Sequence, residues 1–309
     1  MTLGQRPEAD LHCHTTASDG QYSPREVVRL AAVSGLDIIG ITDHDTIQGW
    51  EEAERAGREF GIGILRGLEL STVIANQQQT VPKVATDYLT DKSRKVSPIR
   101  SSSFEPRASS EVHILGYEFR LDSLLTDKLA EMRSARQGRV RTIIERLADV
   151  GIQLSAADVL KFAQGESVGR PHVARVMIEH GFVKDMQEAF ERYIGPGAPA
   201  YVPRFKLAPA EAIRLIRDSG GVAVLAHPGL NVTAGQLDGL CKLGLQGIEV
   251  SHSEHTPEAE DHWRSLARQH GLLMTGGSDF HGEAIKPGVP LGGWGVSVAV
   301  AERIRELAK

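Results

Sequence analysis

The sequence predicts an α/β protein built on one barrel-like or open parallel sheet, with a helical subdomain set into it. Short apolar runs with little alternation recur between amphipathic stretches, as expected of strands covered on both faces. The middle of the chain, residues 123–204, reads as helices alone, and the strand and helix rhythm then resumes to the C-terminal region. A length of 309 residues suits two ordinary domains or one barrel-sized domain carrying an insertion.

Taken in order, DLHCH is the first strand, PREVVRLAAVSG a helix, LDIIGITDHD a strand, GWEEAERAGREFG a helix and IGILRGLEL a strand. Gly35 and Gly61 stand where helices end in a left-handed residue. Residues 76–110 change to Gln, Ser, Thr, Lys, Arg and Pro without a sustained apolar period, so a flexible surface insertion is expected there. The strand VHILGYEF follows, and then MRSARQGRVRTIIERLADVG, SAADVLKFAQG, PHVARVMIEHG and MQEAFERYIG each show an apolar stripe. PAEAIRLIRDSGG, VAVLAHP, AGQLDGLCKLG, LQGIEVSHS, PEAEDHWRSLARQHG and LLMTGGSDFHG restore the alternation. The expected division is a barrel of residues 8–122 and 205–309 with a helical, substrate-capping subdomain at 123–204.

Composition narrows the function. Thirty-five basic and forty acidic residues leave a formal charge of −5 with neutral histidines, which provides no field for long duplex DNA. Two cysteines, Cys13 and Cys241, are too few for a disulfide framework or a thiolate zinc module. The first residues lack a basic segment followed by an apolar run, and no stretch is apolar enough to span a membrane, so a reducing cytoplasmic setting without membrane attachment is expected. Nothing in the sequence calls for an obligate protein partner, and LGGWG at 291–295 lacks the following helix of a phosphate-binding glycine loop.

Polar residues concentrate at the C-terminal ends of the expected strands: His12, His14, Asp43, His44, Glu69, His227, Glu249, Asp279 and His281. That edge is where parallel α/β folds build sites. His12 and His14 are spaced i, i+2, which puts both imidazoles on one face of a strand. Imidazole and carboxylate without thiolate suit catalytic manganese, iron or zinc.

These residues carry a resemblance. DLHCHTTASDG, GITDHDT, the Gly-x-Glu of GLEL, VHILGY, VLAHPG and GSDFHG resemble the successive motifs of the PHP (polymerase and histidinol phosphatase) family. GRPHVARVMIEHG, YVPRFKLAPAEAIRLIRDSGGVAVLAHPG and SDFHG are similar to a narrower branch of 3′,5′-nucleotide bisphosphate phosphatases and RNase AM type 5′→3′ exoribonucleases. The resemblance implies a distorted (β/α)7 barrel with three divalent metals at its mouth, manganese being the first expectation and zinc or iron the alternatives. It implies that His12, His14, Glu69 and Asp279 surround one metal, that Glu69 bridges to a second held by His113 and His227, and that Asp19, His44 and His281 hold a third. Adjacent cations of this kind activate water and neutralise phosphate oxygens, so phosphoester hydrolysis is the implied reaction.

Other candidates are more open. Asp43 could orient a ligand imidazole or cap the turn around Asp45 and Thr46. Arg170 opens a helix beside free N–H groups, and the branch resemblance implies that Arg170 and His172 reach the substrate phosphate; packing within the subdomain is the alternative. If Arg170 is purely an anchor, truncating it should leave thermal stability near wild type. His252, and less so His255, could touch substrate or donate a proton, while Glu249 supports a ligand from behind. Arg204 and Lys206 read as a solvated loop, and His180, His262 and His270 as surface residues. The 76–110 insertion is either a lid carrying Lys83, Lys92, Arg94, Lys95, Arg100 and Arg107 toward a polyanion or an inert loop.

The expected substrate is a 3′,5′-nucleotide bisphosphate, a short 5′-phosphorylated RNA, or both. Histidinol phosphate hydrolysis and a non-catalytic polymerase-associated PHP module are the alternatives.

Overall fold

A computed structural model describes residues 7–75, 109–163, 167–203, 205, 207–229 and 232–309. Seven strands form one sheet in chain order: β1 (Ala9–Cys13), β2 (Ile38–Ile41), β3 (Gly63–Ala75), β4 (Ser109–Tyr117), β5 (Val222–Leu225), β6 (Gly247–His252) and β7 (Leu273–Gly277). The two edges approach closure, since Cys13 bridges Phe280, His14 N donates to Phe280 O at 2.9 Å and Phe280 N donates to His12 O at 3.3 Å. The result is a distorted barrel.

The sheet is not wholly parallel, contrary to the sequence expectation. β4 runs antiparallel to both β3 and β5, whereas the other neighbouring pairs are parallel. A parallel neighbour requires a crossover packed on the sheet. The polar stretch after β3 has no helical apolar period to supply one, and β3 runs on to Ala75 to pair with a returning strand. His113 therefore reaches the mouth from the middle of an antiparallel strand, opposite Ser71.

Helices α1 (Pro24–Val33) and α2 (Trp50–Phe60) cover the first strands. The Ser23 side chain caps α1 and Pro24 takes its first turn, where a missing N–H costs nothing. Gly61 ends α2 at φ 74°, a left-handed conformation suited to glycine. Helices α7 (Pro209–Asp218), α8 (Ala234–Lys242) and α9 (Pro257–His270) cover the later strands, and α10 (Val298–Leu307) plugs the bottom with Ala301 and Ile304. Leu11, Leu65, Leu115, Tyr117, Val222 and Val224 fill the interior beside it, and the Tyr117 hydroxyl donates to Leu11 O at 2.9 Å.

The long helix α3 (Ser123–Asp149), capped by Asp122, straddles two cores. Leu125, Leu129 and Met132 belong to the main core, whereas Val140, Ile143 and Leu147 join a second one. That second core also holds α4 (Ala156–Phe162), α5 (Arg170–Glu179), α6 (Met186–Ala189) and the π-helical turn Phe190–Ile194. Among the described residues no helix is long and apolar enough to cross a membrane, and both cysteines are free thiols.

Candidate metal centre

Glu69, near the middle of β3, is the hub of the barrel mouth. Its Oε2 lies 3.0 Å from His44 Nδ1, 3.2 Å from His14 Nε2 and 3.4 Å from His12 Nε2. Its Oε1 lies 2.6 Å from His113 Nδ1 and 2.9 Å from His227 Nε2. One buried carboxylate thus faces five imidazoles, three on one oxygen and two on the other.

Donor atoms gather around it in overlapping sets. His12, His14, Glu69 and Asp279 form one, with Asp279 Oδ1 at 3.4 and 3.1 Å from the Nε2 atoms of His12 and His14. His14, Asp19, His44 and His281 form another, and His44, Glu69 and His113 a third. His227 joins through Glu69, its ring stacked on that of His12 at 5.6 Å.

The chemistry of these donors fits divalent cations. His12 Nδ1 faces Glu249 Oε1 at 3.2 Å, His281 Nδ1 faces the Asp279 carbonyl at 2.9 Å, and His14 Nδ1 faces Ser18 Oγ at 3.4 Å. Acceptors behind Nδ1 leave each Nε2 lone pair aimed into the cluster. His12 Nε2 and His14 Nε2 stand 3.1 Å apart, a pairing that at most one proton can bridge. Asp19 Oδ1 and His44 Nδ1 are buried without a hydrogen bond of acceptable geometry, the His44 contact with Glu69 being close but misdirected. A cation satisfies both.

The same crowding moves the titrations. Burial opposes a charge on His14, but Asp279 and Glu69 outweigh it and lift the imidazole to about 10. His12 is likewise raised well above the ordinary value against its burial, by Glu249, Glu69 and Asp279. Glu69 goes the other way: burial favours the neutral acid, yet His44, His113 and His12 hold it well below the usual range. His44 itself is carried well below by burial, which Glu69 and Asp19 do not offset.

A layer of buried polar residues holds these ligand-like groups in place. Glu249 contacts His12 Nδ1 and accepts from His227 N at 2.8 Å, so one carboxylate orients two candidates. Asp43 accepts from Thr15 N at 2.7 Å, Thr15 Oγ1 at 2.8 Å and Ser18 Oγ at 2.6 Å. It therefore acts on His14 through Ser18, and the helix cap near it is Gly49 instead. Asp10, which sequence reasoning missed, accepts from Ser278 N at 2.9 Å, Ser278 Oγ at 2.6 Å and Gly292 N at 2.9 Å, tying β1 to the loop after β7. Its alternation with His12 on one strand was the available signal. Asp279 and His227 both have positive φ, 56° and 20°. Such conformations cost about 1–3 kcal/mol each in a non-glycine residue and persist only where the surroundings impose them.

The helical layer meets the cluster at the start of α5. His172 Nδ1 accepts from Gly169 N at 3.0 Å, which caps the helix and leaves the ring proton on Nε2, while the charge of Asp19 acts on the ring against its burial. Arg170 is buried, its guanidinium 5.2 Å over the Phe190 ring and 5.7 Å from that of Tyr201. Such stacking adds a packing role to any anchoring role, so truncation without loss of stability is no longer expected. Arg136, also missed, donates to the buried Asp45 carboxylate and, at 3.0 Å, to Ser71 Oγ, joining α3 to the barrel wall. No motif marks it, because its partner is distant in sequence.

His252 Nδ1 accepts from Glu254 N at 3.1 Å, so its proton sits on Nε2, buried and 3.8 Å from Asp279 Oδ2. Burial holds this imidazole down to about 4, which favours the neutral ring with its N–H on Nε2. His255 is fully engaged, Nδ1 with Val250 O at 2.8 Å and Nε2 accepting from Gly229 N at 3.1 Å, which braces the loop after His227. Arg204, Lys206 and the expected lid cations of the 76–110 insertion lie outside the described residues.

Comparison with known proteins accords with this geometry. A family model described as PHP domain matches residues 10–194. The 5′-3′ exoribonuclease Rnm of Escherichia coli K12 is 32% identical over 282 residues, covering 88% of this chain and 84% of that protein. The 3′,5′-nucleoside bisphosphate phosphatase of Chromobacterium violaceum is 32% identical over 285 residues, covering 88% and 86%. A Bifidobacterium adolescentis crystal structure, described as a metal-dependent phosphoesterase, superposes with a TM-score of 0.81 at 29% identity, covering 99% of this chain and 98% of that one.

Proposed function

The chain belongs to the PHP domain family and is a metal-dependent phosphoester hydrolase, and from that premise we propose that its substrates are small phosphorylated nucleotides: 3′,5′-nucleotide bisphosphates, short 5′-phosphorylated RNA, or both. The observation that carries the reading is the two-sided Glu69, whose oxygens serve separate groups of imidazoles.

In this reading three divalent ions, manganese first, are held by His12, His14, Glu69 and Asp279; by Glu69, His113 and His227; and by Asp19, His44 and His281. When bound, such ions neutralise phosphoryl oxygens and lower the pKa of water at the reacting phosphorus. The chain's own residues prepare the place. Glu249 and the Asp43–Ser18 pair fix the imidazoles of His12 and His14 before any ion arrives. His252 offers a neutral N–H to a substrate oxygen next to Asp279. Helices of the 123–204 region cap the mouth, and α5 supplies His172, which feels the charge of Asp19, and Arg170, packed on Phe190 and Tyr201, to recognise a terminal phosphate. End recognition, and not an extended basic track, agrees with a formal charge of −5.

The deciding experiment is a turnover panel under manganese with adenosine 3′,5′-bisphosphate, RNA pentamers bearing a 5′-phosphate or a 5′-hydroxyl, and histidinol phosphate. Hydrolysis of the bisphosphate, with mononucleotides released faster from the 5′-phosphorylated RNA, is expected. Turnover of histidinol phosphate alone overturns the proposal, and equal nonzero rates on the two RNAs overturn recognition of a 5′-terminal phosphate.

A further inference from the structure

The loop after β7 carries one cation into the barrel mouth. Lys286 N and Ile285 N both bond to Gly282 O, and this turn folds the Lys286 side chain back over the sheet end. Its ammonium donates to Asp279 Oδ2 at 2.7 Å and to Glu254 Oε1 at 3.0 Å, and the side chain is only 22% exposed. The two oxygens of Asp279 are thereby divided. Oδ1 faces His12 and His14, and Oδ2 faces Lys286.

The two partners of Lys286 differ. Asp279 is buried among imidazoles and carries its own backbone strain, so it is fixed. Glu254 lies on the loop after β6 with a side chain 62% exposed. An ion pair with an exposed carboxylate is weak and exchangeable, because water screens it and ordering the side chain costs entropy. An ammonium is also a point charge with three rotatable donors, able to keep one contact while changing another.

We infer that Lys286 grips the substrate: its ammonium keeps Asp279 and exchanges Glu254 for a non-bridging oxygen of the phosphoryl group being hydrolysed. The inference rests on the reading of the cluster as the phosphate-binding centre. Lys286 supplies a positive charge on the flank of the phosphoryl group beside Asp279, and Glu254 holds that charge in place until substrate arrives. Glu254 then acts as a competitor, so the two residues have opposite effects on anion binding.

Inorganic phosphate titrated calorimetrically into manganese-loaded protein tests this, with metal content measured on each variant. Lys286→Gln should weaken phosphate by about tenfold or more, the usual consequence of losing a charge-assisted contact, with manganese content unchanged. Glu254→Gln should leave phosphate equally tight or tighten it a few-fold. If wild type binds phosphate and Lys286→Gln binds it equally well, the inference fails while the cluster reading stands. If both variants weaken phosphate and lose manganese together, Lys286 and Glu254 are only a brace between loops, and the inference again fails. Absence of phosphate binding by manganese-loaded wild type overturns the cluster reading itself, and this inference with it.

Discussion

Replacing Glu69 with Gln removes one charge from a carboxylate whose oxygens stand 2.6 to 3.4 Å from five imidazole nitrogens. The amide keeps one oxygen and presents N–H donors where the other was, so at least one side loses an anionic acceptor and both lose charge. At about 1.5–3 kcal/mol per charge-assisted contact, loss on both sides amounts to roughly 3–6 kcal/mol. At 1.4 kcal/mol per tenfold, manganese affinity should fall by about two to four orders of magnitude. Glu249→Gln provides the scale, since it touches the cluster only from behind through His12 and His227 and should cost about 10- to 100-fold. The assay is manganese titration by calorimetry, with metal content after desalting and near-ultraviolet circular dichroism to confirm the fold. A Glu69→Gln protein that keeps wild-type stoichiometry and affinity would remove Glu69 from the hub and with it the shared-ligand arrangement.

Arg170→Ala should lower Tm by several degrees as well as impair turnover, because two ring contacts worth about 0.5–2 kcal/mol each are lost; an unchanged Tm would make Arg170 an anchor alone. Metal loading at neutral pH should release the proton that the raised His12–His14 pair shares between its facing Nε2 atoms, and calorimetry in two buffers of different ionisation enthalpy detects it. In the metal-free protein the His14 contribution to stability is full below the ordinary imidazole value and fades as pH rises through about 10, so Tm should fall over that window unless manganese is present. Gly277→Ala should cost about 3 kcal/mol and weaken manganese binding, because the new methyl meets His12 Cβ at 2.4 Å and His12 N at 2.5 Å; wild-type Tm and affinity would contradict that contact.

Part of the candidate site was legible because His12, His14, Asp279 and His281 sit at or just beyond the ends of β1 and β7, where a side chain's direction follows from backbone period. His12 and His14 could be placed on one face without knowing any partner. His113 could not be found that way, since it enters from the middle of an antiparallel strand, and only the family resemblance singled it out. The reversal of β4 was hidden because short apolar runs do not encode strand direction. Arg136 and Lys286 were invisible for a different reason: long side chains on a helix and a loop find partners set by tertiary packing, 91 positions away for Arg136 and Asp45. Asp43 was expected either to orient a ligand imidazole or to cap a turn, and its contact with His14 through Ser18 depends on a turn that composition does not describe.

The near-closure of β1 against β7 has a consequence for how the protein comes into being. Asp10 and Ser278, which stitch this seam, are 268 positions apart, and closing a loop of that size costs about 5 kcal/mol of chain entropy before any contact is formed. His12 and His14 precede nearly the whole barrel in the chain, whereas Asp279 and His281 follow it. At about 5–20 residues per second, the histidines wait many seconds before the Asp279 carboxylate they face is made. Ions that bind across the seam then work as a clasp, and chelation should reopen the protein first at its two outermost strands, where a protease would find the earliest cut.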